Sequence, residues 1–139
     1  IGGCYKQVKL DAEQYNNVEV TGEFDYNDIA DFYNCSDITF CLYNTKDKNH
    51  NTCIAIKFYE SIMFLTPILV AKNTAMEEMC IKYKIGQGID SSVEGVREAL
   101  EYLYDNREVL ESYKENMRKI QFDFSWEAIV KKLDDIYRV

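Results

Sequence analysis

A chain of 139 residues amounts to one domain, and a composition of 47% hydrophobic and 14% aromatic residues excludes a disordered segment. The formal net charge of −8 excludes a general nucleic-acid surface, because a polyanion is repelled unless basic side chains gather locally, and no basic patch is present. With His50 as the single histidine, a His-based triad or zinc site within the chain is nearly excluded, and no apolar run reaches the roughly 18 residues of a membrane span. The five cysteines (Cys4, Cys35, Cys41, Cys53, Cys80) are odd in number and form no C-x-x-C, which favours reduced packing residues of a cytosolic protein over disulfides or a metal site.

The chain opens on Ile1-Gly2-Gly3 without an initiator Met. Paired glycines after an apolar residue suit the tight turn that leaves a parallel strand, and the strand that would feed it is absent, so a fragment is expected. A flexible leader is the other reading. Lys6–Tyr15 is weakly helical. Val18-Glu19-Val20-Thr21 alternates and stops at Gly22, which predicts a strand. Asp25 and Asp28 stand where a cap belongs, ahead of Ile29, Phe32 and Tyr33 at helical spacing. Asp37–Leu42 reads as the next strand, and the polar stretch Tyr43–Asn51 as a loop long enough to carry function.

The most informative stretch comes next. Ile54–Leu65 predicts a helix apolar nearly all round, which belongs in an interior, yet it carries Lys57 and Glu60 on one face. Charges in such a place need each other or a ligand, and the spacing leaves both open. Pro67–Ala71 is a continuous apolar run with proline first, the form of a buried parallel strand. Thr74 and Glu77 make a capping box for another helix, and capping is the plain reading of Glu77 and Glu78. Gly86–Ile89 supplies a short strand. Ser91 and Glu94 then cap a helix with Val93, Val96, Leu100 and Leu103 on one face. Val109, Leu110, Tyr113, Met117 and Ile120 mark the next helix. Ser125 caps the last, which is marked by Trp126, Ile129, Val130, Leu133 and Ile136. Strands alternating with helices predict an α/β fold, a Rossmann-like parallel sheet with helices on both faces and a C-terminal helix pair. Asp37, Asp47 and Asp90 read as caps and loop residues rather than metal ligands.

In an open α/β sheet ligands bind beyond the carboxyl ends of the strands, which here brings in the loops after Leu42, after Ala71 and at Ile1–Cys4, with Gly3 among them. A diphosphate suits such a place, because free N–H groups and the helix dipole favour negative charge. The backbone of Asn51, Thr52, Cys53, Ile54 and Ala55 is the expected pyrophosphate cradle.

Lys57-x-x-Glu60-Ser61-Ile62-Met63, Thr66-Pro67-Ile68-Leu69-Val70-Ala71, Glu77-Glu78 and Tyr83-Lys84-Ile85-Gly86-Gln87-Gly88 together resemble the donor-binding half of the GT-B glycosyltransferases. The string is most similar to the retaining family-four enzymes (glycosyl transferases group one) of bacterial surface polysaccharide synthesis, capsule and lipopolysaccharide included. Their pattern is of the type N-K-x-x-E-x-M-x-x-G-x-P-V-I. Ile29-Ala30-Asp31-Phe32-Tyr33 before the strand, Ser125-Trp126-Glu127 near the end, and Gly2-Gly3 in place of an I-I-G-x-G turn extend the likeness over nearly the whole chain.

That resemblance implies a nucleotide-sugar donor, and a glycan or lipid-linked acceptor held by an N-terminal domain upstream of Ile1. It also implies hexosyl transfer that needs no metal or other cofactor, in a cytoplasmic parent that has the inner face of the membrane open to it. It gives Glu60 the role of accepting the ribose hydroxyls and matches Lys57 to the lysine of the pattern. No catalytic residue is assignable, since the groups that neutralise the donor phosphates lie upstream. The chain also departs from the pattern: Ile56 replaces its asparagine, Thr52 stands where many relatives carry an acidic residue, and Cys53 and Ala55 stand where glycines are common. The alternative is a non-catalytic Rossmann-like module for binding or regulation. For a receiver-type version, Leu42-Tyr43-Asn44 offers no phosphoacceptor aspartate.

Overall fold

A computed structural model describes residues 2–43 and 48–137. The chain divides into two compact units, one up to Asp31 and the other from Phe32 onward.

The first unit is built on helix α1, Gly2–Ala12. Gly2 and Gly3 therefore begin a helix rather than form the tight turn expected of them. Val18–Thr21 is irregular and not a strand. Alternation makes a segment fit for a sheet, but a strand exists only as part of a ladder, and no described strand pairs with this one. Asp25 behaves as expected: its carboxylate accepts the Asn27 N–H at 2.9 Å and starts the short 3-10 turn Tyr26–Asp28 that runs into helix α2, Ile29–Asn34.

The second unit is a parallel three-stranded sheet in the order β1 (Thr39–Cys41), β2 (Ile68–Ala71), β3 (Gly86–Ile89). Thr39 pairs with Ile68 and Cys41 with Val70, while Ile68 pairs with Gly86 and Ala71 with Ile89. Every residue of β2 is buried, as its unbroken apolar sequence requires of a strand covered on both faces. Alternate side chains of β2 serve opposite layers. Ile68 and Val70 meet Phe58 and Ile62 of α4 (Ile56–Met63), Met76 and Cys80 of α5 (Ala75–Tyr83), and Met117 of α7 (Arg107–Ile120). Leu69 meets Ile89, Ala99 and Leu103 of α6 (Val93–Asp105), and Leu110 of α7. Gly86 is required where β3 meets β2, because a Cβ there would collide with the Ile68 carbonyl.

Helix boundaries depart from expectation in three places. The predicted loop Tyr43–Asn51 contains a one-turn helix, α3 (Lys48–Thr52), while Asn44 and Asp47 lie outside the described residues. Helix α4 begins at Ile56, two residues later than expected. Helix α6 is capped by Ser92, whose hydroxyl accepts the Gly95 N–H at 3.2 Å, in place of its neighbour Ser91. Leu65, just past α4, has φ 56, a left-handed conformation; it occupies the place of the glycine in the family pattern. The last helix, α8 (Trp126–Tyr137), is capped by Ser125 and buries Ala128. Its apolar stripe of Trp126, Ile129, Leu133 and Ile136 is exposed. The cysteines also split: Cys41 and Cys80 are buried, whereas Cys35 and Cys53 are exposed, and all four are free thiols.

Candidate functional site

Three parallel strands deliver three loops to one edge of the sheet, after Cys41, after Ala71 and after Ile89. Two of the helices that leave this edge are closed by their own side chains. Thr74 Oγ1 accepts the Glu77 N–H at 3.2 Å at the start of α5, and Ser92 does the same for α6. Helix α4 differs. Its N-cap is Ala55, which has no side-chain oxygen with which to close the first turn. The Phe58 N–H turns back to the Ala55 carbonyl at 3.0 Å, and the N–H groups of Ile56 and Lys57 stand at the positive end of the helix, where an anion is favoured.

One turn into α4 stands Glu60, 8% exposed. Tyr33, brought in by α2, donates its hydroxyl proton to Glu60 Oε2 at 2.9 Å. Burial first, and then the bond to this carboxylate, hold the Tyr33 hydroxyl well above the ordinary phenol range, so the phenol stays a donor. The Tyr33 ring stacks on Phe64 with centroids 5.0 Å apart and planes 20° apart. Thr66 Oγ1 donates to the Tyr33 carbonyl at 3.2 Å. Lys57 is exposed, and the two ion pairs among the described residues, Arg97–Glu94 and Lys114–Glu111, involve neither it nor Glu60. Sequence reasoning placed Tyr33 only as a core position of its helix. The one available signal was general: a buried tyrosine needs a partner for its hydroxyl.

The expected cradle at Asn51–Ala55 runs from the end of α3 to the N-cap of α4. Asn51 and Thr52 are the last two residues of α3, and the Cys53 N–H is spent on the Asn49 carbonyl at 3.0 Å. Ile54 is half-buried against the core beneath α4. Helix α4 starts one residue beyond the expected segment. Gly3 belongs to the first unit, inside α1.

Beside this turn, Tyr43 stacks on His50 at 5.1 Å and 25°. The Cys41 thiol is raised by burial, and Tyr43 is raised by burial and by Cys41. Two concavities lie elsewhere. A groove of about 570 Å³ lined by Asp37, Ile38, Leu103, Tyr104 and Arg107 opens where the chain enters β1, at the end of the sheet opposite the loops. A smaller cleft of about 260 Å³ runs between β3 and α6, past Lys72, Gly88, Asp90 and Tyr102. Among the described residues no three His, Cys, Asp or Glu side chains gather as a metal site would require, and no helix is long and apolar enough to cross a membrane.

A parallel three-stranded sheet with helices around it is the architecture of a Rossmann-like domain of the GT-B kind. The chain belongs to the family of glycosyl transferases, group 1, whose model matches residues 2–120. A search of curated proteins returns no match. Among solved structures, the chain is similar to sucrose-phosphate synthase from Thermosynechococcus elongatus, with a TM-score of 0.72 and 18% identity. The alignment covers 96% of this chain and 33% of the synthase, so the chain spans about a third of that protein's length. At that identity the likeness is one of fold.

Proposed function

We propose that this chain is the donor-nucleotide domain of a retaining glycosyltransferase that moves a hexose from a nucleoside diphosphate to a glycan or lipid-linked acceptor. The observation that carries the reading is Glu60: a nearly buried carboxylate, in a family of glycosyl transferases, one turn into a helix whose N-cap is an alanine. A carboxylate suits a ribose diol because it has two acceptor oxygens and nothing to donate. The first turn of α4 suits the diphosphate, and Lys57, exposed in that same turn, adds a positive charge nearby. Holding the leaving diphosphate and stabilising its growing charge is an electrostatic and positioning role.

The acceptor, surface polysaccharide as the product, and a place at the inner face of the cytoplasmic membrane follow the family resemblance. Since the chain spans a third of the related synthase, it is expected to bind nucleotide alone but not to transfer sugar. Binding is expected to need no metal. Titration calorimetry with a ribonucleoside diphosphate, with and without chelator, tests the reading. Glu60→Gln should weaken binding about tenfold or more, since hydrogen bonds to a charged acceptor contribute roughly 1.5–3 kcal/mol. Affinity abolished by chelator, or unchanged in Glu60→Gln, would overturn it.

A further inference from the structure

Glu60 is carried by α4, and contacts at the far end of its side chain decide where its carboxylate sits. A glutamate has three rotatable bonds, and recognition of a diol needs its carboxylate at one height and one tilt. Tyr33 is built to supply that constraint. Its ring is clamped by the stack on Phe64, and its backbone carbonyl by Thr66 Oγ1, so the position of the hydroxyl is set by two contacts that do not involve Glu60. From that fixed point the hydroxyl donates to Oε2 at 2.9 Å, bridging 27 residues of sequence.

The choice of partner also matters chemically. A lysine or arginine there would hold the carboxylate but compete for its charge. A phenol whose ionisation is pushed up stays neutral and gives one proton to one oxygen, so the carboxylate keeps its negative charge.

We propose that Tyr33 is a positioning residue for ribose recognition, holding the Glu60 carboxylate at the height and tilt from which it accepts the 2′ and 3′ hydroxyls of the donor nucleotide. This rests on the reading that Glu60 accepts those hydroxyls. A purely structural Tyr33 would satisfy a buried carboxylate and do no more, in which case its loss would lower stability and leave ligand discrimination untouched.

The experiment compares affinity for a ribonucleoside diphosphate with affinity for its 2′,3′-dideoxy analogue, by calorimetry on the full protein. Wild type, Tyr33→Phe and Glu60→Gln are measured in parallel. Tyr33→Phe keeps the ring and the Phe64 stack and deletes one hydroxyl. It should lower the preference for the ribonucleotide roughly three- to tenfold while leaving the dideoxy affinity within about twofold. A preference unchanged in Tyr33→Phe but lost in Glu60→Gln would overturn the positioning role and leave the reading of Glu60 intact. A preference kept by both variants would overturn both. Should Tyr33→Phe fail to fold, Phe64→Leu decides: it keeps the hydroxyl but removes the ring that braces it. It should then show a smaller loss of the same preference, and undiminished discrimination would overturn the proposal.

Discussion

The carboxylate of Glu77 fills the space beside Gly88 that a side chain on β3 would need, while it accepts the Asn73 N–H at 2.6 Å. The capping box of α5 and the glycine of the strand that follows it are therefore one arrangement. Gly88→Ala alone should destabilise by about 1 kcal/mol, because Glu77 must give up its bond to Asn73. In a Glu77→Ala background the same substitution should become neutral or stabilising, since alanine is easier to order in a strand than glycine. Urea titration of the four proteins of this double-mutant cycle measures the coupling. Additive effects would show that the two residues do not contend for the same space.

Lys84 ends α5 with φ 54, and its N–H donates to the Cys80 carbonyl. The left-handed conformation costs a residue with a Cβ roughly 1–2 kcal/mol, and glycine escapes that cost. Lys84 is exposed, and its carbonyl accepts from Asn116 Nδ2 at 2.9 Å, a bond that survives a change of side chain. Lys84→Gly should raise stability by about 1 kcal/mol, partly offset by the added freedom of the unfolded chain. A lowered urea midpoint would contradict this account.

The described thiols should divide sharply in reactivity. Cys80 is fully buried, and burial pushes its thiol up to about 12, with Glu77 and Cys41 adding to the effect. Cys41 is raised by burial too, whereas Cys35 and Cys53 are exposed. The thiolate is the reactive form, so native protein at pH 8 should be alkylated at Cys35 and Cys53 long before Cys41 and Cys80. Mass spectrometry after a brief iodoacetamide pulse checks the order, and denaturant should abolish it.

Tyr33 gives stability an alkaline limit. Its ionisation is raised in the folded state above the unfolded value of about 10, so the contribution is complete below that pH and is lost as pH rises toward the folded value. The urea midpoint should fall above about pH 10, and less steeply in Tyr33→Phe. Tyr113, raised by burial, remains in both proteins and sets a common baseline. Parallel slopes for the two would remove Tyr33 as the cause.

What the sequence made legible was whatever is carried by local order. The apolar run of β2, the capping box at Thr74 and the address of Glu60 within its pattern could be read because each is set by neighbours a few residues apart. The Tyr33–Glu60 bond could not, since periodicity says that a tyrosine is on the inner face of α2 and nothing about which oxygen it meets 27 residues later. Val18–Thr21 has the alternation of a strand and no ladder to join. Ser91 and Ser92 are equal candidates by residue type, and only the backbone entering α6 chooses between them. The stripe on α8 was correctly read as helical, but a pattern gives the face and not the direction in which it points.

Helix α7 places Leu110 in the layer shared with α6 and Met117, two turns later, in the layer shared with α4 and α5. It works as a tie beam between two floors, so neither can open by itself without drawing the beam out of the other. The second unit should therefore exchange its most protected amides at one common rate, and a cavity cut at Met117 should be felt by protons on the far side of the sheet.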